Sequence, residues 1–152
     1  MLDAASYFYA VLAVAMIGVR PVIGLIYDTY GAKYVIIPSF IFFAIGLFLL
    51  GNAENAALLL TSAAFIGVGY GTLTTSFQSL CIQATSPQRT GYATATYFTL
   101  FDAGIAIGSY VLGIVAVSVD YSAIYVLSAV LMIVMLVLYL LLFVRQKNKI
   151  EA

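Results

Sequence analysis

The chain has 152 residues, a formal net charge of zero, 64% hydrophobic residues and only 8% charged ones, with a mean hydropathy of +1.13. A soluble domain carries about 25% charged residues, so this composition cannot cover a solvated surface and reads as an all-α membrane protein. The balanced charge leaves no basic patch for nucleic acid. The lone Cys81 makes neither a disulfide framework nor a metal cluster, and the absence of histidine removes the commonest general base and metal ligand.

Five apolar runs are long enough to cross a hydrocarbon core, which takes about 20 helical residues. They lie near 4–27, 34–51, 56–84, 91–118 and 122–144. No window alternates as a membrane β-strand does, and backbone groups facing lipid must be satisfied within their own segment, so these runs are expected to be helices of one membrane domain. The start, Met1-Leu2-Asp3, is acidic and leads into a full-length run, unlike a signal peptide. The third and fourth runs exceed a straight crossing and must tilt or project. Lys33 lies in the first loop, Arg89 in the third, and Arg145, Lys147 and Lys149 in the tail 145–152. The second loop, Asn52-Ala53-Glu54-Asn55, and the fourth, Asp120-Tyr121, carry no positive charge. This alternation puts the amino terminus outside and the carboxyl terminus in the cytosol, as expected of a multi-pass protein of the cell membrane. An odd number of spans, the first beginning almost at Met1, suggests a missing amino-terminal part.

The first run breaks out into a short polar turn, Asp28-Thr29-Tyr30-Gly31-Ala32-Lys33, which needs specific glycines to be so tight. Arg20 stands about eight residues from the cytosolic end of its helix, roughly 12 Å deep. A charge there costs about 2.5–3.5 kcal/mol on insertion scales and calls for a cavity or a partner, unless the long stem snorkels to the interface. Pro21 follows and removes a backbone donor. Asp102 stands about eleven residues into the fourth helix, roughly 16 Å deep, and is too short to snorkel. It is a candidate for the substrate or ion pathway, for a titrating group, or for a fixed ion pair with Arg20.

The third helix carries Gly67, Gly69 and Gly71, and the fourth Gly104 and Gly108, as small-residue packing faces. Gly67-x-Gly69-x-Gly71 has no strand before it and is not a nucleotide loop. A polar stripe continues down the third helix through Thr72, Thr74, Thr75, Ser76, Gln78 and Gln83, and on the fourth through Thr94, Thr96 and Thr99. Single hydroxyls bond back to their own helix; a whole stripe reads as a cavity wall, with Tyr70 and Tyr97 as its aromatic candidates. No nucleophile–base pair, metal-ligand set or phosphate loop is present, so neither an enzyme nor a cofactor is expected.

Taken together, Gly24-x-x-x-Asp28-x-x-Gly31-x-Lys33 resembles the short loop motif of the major facilitator superfamily, in its weaker version between the eighth and ninth helices, with Thr29 and Ala32 where the stronger version is basic. Gly18-x-Arg20-Pro21 resembles the eighth helix. Gly67-x-Gly69-x-Gly71 with Gln78 resembles the tenth, though Thr75 stands where a proline is frequent. Pro87-x-Arg89-x-Gly91-x-Ala93, then Tyr97, Phe101-Asp102-x-Gly104 and Gly108, resembles the tenth loop and eleventh helix of bacterial drug- and sugar-efflux members. The resemblance implies helices eight to twelve of a twelve-helix secondary transporter, part of its second six-helix bundle, whose partners are the lipid bilayer, a missing amino-terminal half and a small-molecule substrate, with protons as the coupling ion. It implies that Arg20, Asp102, Gln78, Tyr70 and Tyr97 lie along the pathway. It also implies that Gly24, Asp28, Gly31 and Lys33 form a gating loop whose aspartate caps a helix of the other half by charge–dipole attraction. The alternatives are a complete five-span subunit that assembles with a partner membrane chain, and a non-functional truncated fragment.

Overall fold

A computed structural model describes the backbone of residues 2–150 and the side chains of residues 6–142. The chain forms α1 (Leu2–Tyr30), α2 (Ala32–Gly51), α3 (Ala56–Gln83), α4 (Thr90–Ser118) and α5 (Tyr121–Ile150), with a single 3-10 turn, Pro87–Arg89, leading into α4. All five helices contain a stretch long and apolar enough to cross a membrane. Several run further than hydropathy places them. Asp28, Thr29 and Tyr30 are polar but still helical, and α5 continues to Ile150 through positions assigned to the tail. Lys33 is likewise within a helix, the first turn of α2, with its ammonium 4.9 Å from the Tyr34 ring centroid.

The polar turn between α1 and α2 therefore shrinks to Gly31 alone. Its φ of 92° and ψ of 168° lie in a region that is essentially reserved for glycine and costs other residues about 1–3 kcal/mol. Its N–H still donates to the Tyr27 carbonyl at 2.9 Å, which closes α1. The other junctions use side chains. Asn55 accepts from the Leu58 N–H at 2.9 Å at the start of α3, an N-cap bond. Asp120 accepts from the Tyr121 N–H at 2.9 Å. Ser122 donates to the Gly51 carbonyl, tying the start of α5 to the end of α2.

Helix α3 is the centre, packed against both α1 and α2, and α5 packs chiefly against α2. Small residues make this possible. A Cβ at Gly67 would sit 2.6 Å from the Leu12 carbonyl oxygen, and one at Gly71 would sit 3.1 Å from Met16. At Gly69 the neighbour is the backbone of Phe43 at 2.6 Å, and at Gly46 it is Ile66 at 2.7 Å. Close approach replaces hydrophobic driving force inside a membrane, where lipid tails are as apolar as leucine. The core between α2, α3 and α5 is built on Ile36, Phe40, Leu73 and Leu136. The rings of Phe40, Phe77 and Tyr139 meet there at 6.1 to 6.3 Å.

Helix α4 is different. It touches α3 and α5 only lightly, it has no buried residue, and a Cβ at Gly104, Gly108 or Gly113 would meet nothing within 4 Å. The small-residue face read on α4 is thus not used among the described residues. Gly69→Ala is expected to destabilise the bundle by about 1–3 kcal/mol through overpacking. Gly108→Ala is expected to be neutral or to gain up to about 0.5–1 kcal/mol from reduced backbone freedom. Thermal unfolding of the two variants in the same detergent measures the contrast.

Candidate functional site

The register of α1 on α3 creates the site. Leu12 lies against Gly67 and Met16 against Gly71, so each turn of α1 meets a turn of α3. One turn on, the glycines stop: Arg20, Gly24 and Asp28 come level with Thr75, Ser79 and Gln83. Here a groove of about 280 Å³ opens between the helices, lined by Arg20, Ile23, Gly24, Tyr27, Asp28, Thr75, Ser76, Ser79 and Gln83. The Tyr27 hydroxyl donates to Gln83 Oε1 at 3.4 Å near its end. Nothing lies within 4 Å of where a Gly24 Cβ would stand, so that glycine leaves the groove wall flat.

A second groove of about 250 Å³ lies on the other side of Arg20, between α1, α3 and α4, bordered by Met16, Tyr70, Thr74, Thr75, Gln78, Tyr97, Phe98 and Phe101. Tyr97 holds its far wall in place. Its hydroxyl donates to the Thr74 carbonyl at 2.9 Å, and its ring stacks on Phe101 at 5.9 Å with 21° between the planes. Tyr70 rests against Phe43 at 5.9 Å.

The polar stripe divides into two kinds of hydroxyl. Thr74 and Thr75 donate back to the Tyr70 and Gly71 carbonyls, both at 2.9 Å, and Thr99 to Ala95 at 2.9 Å. Thr72 and Ser76 are buried with no hydrogen-bond partner. Ser76 lines the first groove and Thr72 neither groove.

Of the residues singled out in the sequence, Arg20, Gln78, Tyr70 and Tyr97 come together around the second groove, and Arg20, Gly24 and Asp28 along the first. Asp102 lines neither and is exposed on α4. It makes no ion pair with Arg20, so a fixed intramolecular pair is not what holds either charge. The reason is rotation about the helix. Tyr97, Phe101, Gly104 and Ile105 turn towards α3 and α5, and Asp102 stands about 100° round from Phe101 at 3.6 residues per turn. The sequence reading passed over Met16, Tyr27, Phe98 and Ser79 as site residues. Met16 and Tyr27 share the spacing of Arg20 on α1, which is the signal that marks them.

Residues 2–152 match the family described as the Major Facilitator Superfamily. The chain belongs to that superfamily. No curated protein and no solved structure matches it. In this major facilitator chain the grooves beside Arg20 sit between helices long and apolar enough to span a membrane.

Tyr97→Phe removes the bond between α4 and α3 but keeps the ring. It is expected to lower thermal stability in detergent by about 0.6 kcal/mol, with about 1.7 kcal/mol as the ceiling for such bonds. Tyr97→Leu also loses the ring pair with Phe101, a further loss of about 0.5–1.5 kcal/mol in the same melt.

Proposed function

We propose that this chain is the carboxyl-terminal part, helices eight to twelve, of a secondary active transporter of the major facilitator type that exports a small molecule in exchange for protons. The observation that carries this reading is Arg20: a cation within a membrane-spanning stretch, lining two grooves and paired with no carboxylate among the described residues. An intramembrane charge on a cavity wall marks a substrate or ion path. Arg20, Gln78, Tyr70 and Tyr97 form the path wall in this reading. Gly24, Asp28, Gly31 and Lys33 form the gating segment, with Asp28 aimed at the positive end of a helix outside this chain.

Asp102 has its role in this reading at the face of α4 that the described residues leave open. There a carboxylate at membrane depth needs water, a proton or a partner helix. In this reading the amino terminus lies outside and the carboxyl terminus in the cytosol, because the positive-inside rule assigns the junctions near Lys33 and Arg89 to the cytosol and those near Glu54 and Asp120 to the outside.

The open faces of α1 and α4 need a cover, because no residue of α4 and none from Ser6 to Tyr30 is buried. The missing amino-terminal half supplies it in the favoured reading; a separate partner membrane chain supplies it in the second. An antibody to residues 145–152, used on source-cell membranes, separates them. A band well above 16.3 kDa is expected; a band at that mass favours the five-span subunit.

The transport role is tested in energised inverted vesicles by the collapse of the pH gradient on adding a panel of organic acids, amines and sugars. Asp102→Asn is expected to abolish the response of the active compound with an unchanged membrane level. A normal response would reduce Asp102 to a packing residue.

A further inference from the structure

We propose that the seam between α4 and the rest of the bundle holds one phospholipid with an anionic headgroup, its phosphate on Arg89 and one acyl chain lying inward along α4. The site requires only that the chain sits in a bilayer, as its composition and five long apolar helices demand, and it is independent of what is transported.

Two hollows line this seam. The first, of about 630 Å³, lies between the ends of α3 and α4 that residues 84–89 join. Thr85, Arg89 and Tyr92 stand at its foot, and Leu100 and Phe101 at its inner end. The second, of about 550 Å³, shares Tyr97, Leu100 and Phe101 with the first and continues to Leu73, Phe77, Met132 and Met135. Gly104 lies on its wall, with nothing within 4 Å of where a Cβ would stand. From Arg89 to Ile105 the seam covers 16 positions, about 24 Å at 1.5 Å per residue. One leaflet with its headgroups is about 20–22 Å thick, half of a bilayer. The track therefore has the length of a single lipid.

Apolar voids of this size are foreign to packed protein interiors, where gaps larger than a water molecule are few. What fills the seam must be apolar, flexible and thin. A further helix, 10–12 Å across, does not pass between α3 and α4 where one tyrosine side chain spans them, the Tyr97 hydroxyl donating to the Thr74 carbonyl at 2.9 Å. An acyl chain does. Leu100, on both hollows, is 68% exposed, so bilayer chains reach the track sideways. Met132 and Met135 suit contents without a fixed shape, because their unbranched thioethers repack around irregular neighbours.

Charge fixes which end of the lipid lies where. Arg89 alone among the residues lining either hollow is charged, and it pairs with no carboxylate among the described residues. Tyr92 is exposed beside it, and tyrosines near the ends of membrane helices mark the headgroup level. A guanidinium holds a phosphate through two parallel hydrogen bonds, and basic side chains at the surface attract anionic lipids. No acidic residue occurs from Ala84 to Tyr92, so an ammonium headgroup finds no counter-charge at the foot. Phosphatidylglycerol therefore fits the site better than phosphatidylethanolamine. Asp102 lines neither hollow, so nothing along the track repels the chain.

The test is native mass spectrometry of the full-length protein purified in mild detergent, with phosphatidylglycerol, phosphatidylethanolamine and glycerol 3-phosphate added in turn. It is joined to photolabelling with a phosphatidylglycerol that carries a diazirine on its acyl chain. One phosphatidylglycerol is expected to stay bound, with the label on peptides from α4 and the facing side of α3. Phosphatidylethanolamine is expected to bind several-fold more weakly, and glycerol 3-phosphate not to displace the lipid. Arg89→Gln is expected to lower phosphatidylglycerol binding about fivefold, the contribution of one basic side chain at a membrane surface. Should that variant not yield folded protein, Ala93→Trp fills the first hollow, leaves Arg89 in place and is expected to remove the photolabel. Equal binding of the two phospholipids, displacement by glycerol 3-phosphate, or wild-type binding and labelling in both variants would each overturn the site. So would the absence of label from α4, the result expected if a helix from outside this chain fills the seam. None of these readouts involves transport, so the transporter reading stands or falls separately.

Discussion

The constraint on which the structure depends is how near α3 can come to its neighbours. Between membrane helices there is little hydrophobic gain, so contact must come from dispersion at short range. Gly67 and Gly71 let α1 reach the backbone of α3, and Gly69 lets α2 do the same from the other side. One short glycine run thus faces two partners at once. Everything that positions the site follows from where that run ends. As long as glycine faces α1 the helices touch; once Thr75, Ser79 and Gln83 take over, they part, and these residues line the opening together with Arg20, Ile23, Gly24, Tyr27 and Asp28.

The same constraint explains why the cation and the groove coincide. Arg20 sits one turn past Met16, which rests on Gly71. A long charged side chain placed one turn earlier would meet the closed part of the interface. Placed here, it enters an opening with a second groove beside it, and the aromatic face of Tyr97 and Phe101 completes the surroundings. Packing of α1 on α3, and the Tyr97 bond from α4, together decide what chemistry the grooves can offer.

Much of the fold was legible in the sequence because membrane spans are read from run length alone, and five runs became five helices. Their ends were less legible. Hydropathy falls at Asp28, Thr29 and Tyr30, yet these residues stay helical, because a helix stops where its backbone bonds stop and not where its side chains become polar. The grouping of Arg20 with Gln78, Tyr70 and Tyr97 was also within reach, since polar and aromatic residues at membrane depth have few places to go. The relation of Arg20 to Asp102 was not. Counting residues estimates depth along a helix and puts the two at similar depth, but whether they face each other depends on rotation about the axis, which only packing determines. Ser76 shows the same limit from another side. It was one member of a polar stripe, and only the hydrogen bonds of its neighbours reveal that its hydroxyl, like that of Thr72, is buried without a partner.

A connection of a single residue has a mechanical meaning. Between α1 and α2 the chain offers only the two dihedrals of Gly31, so the pair moves as two stiff rods joined at one pivot, with no slack to absorb a shift of either. Rotation or sliding of α1 must therefore be passed to α2, and through Phe40 to the aromatic cluster with Phe77 and Tyr139. A shift of α1 along its axis thus has no flexible loop to absorb it before it reaches α2.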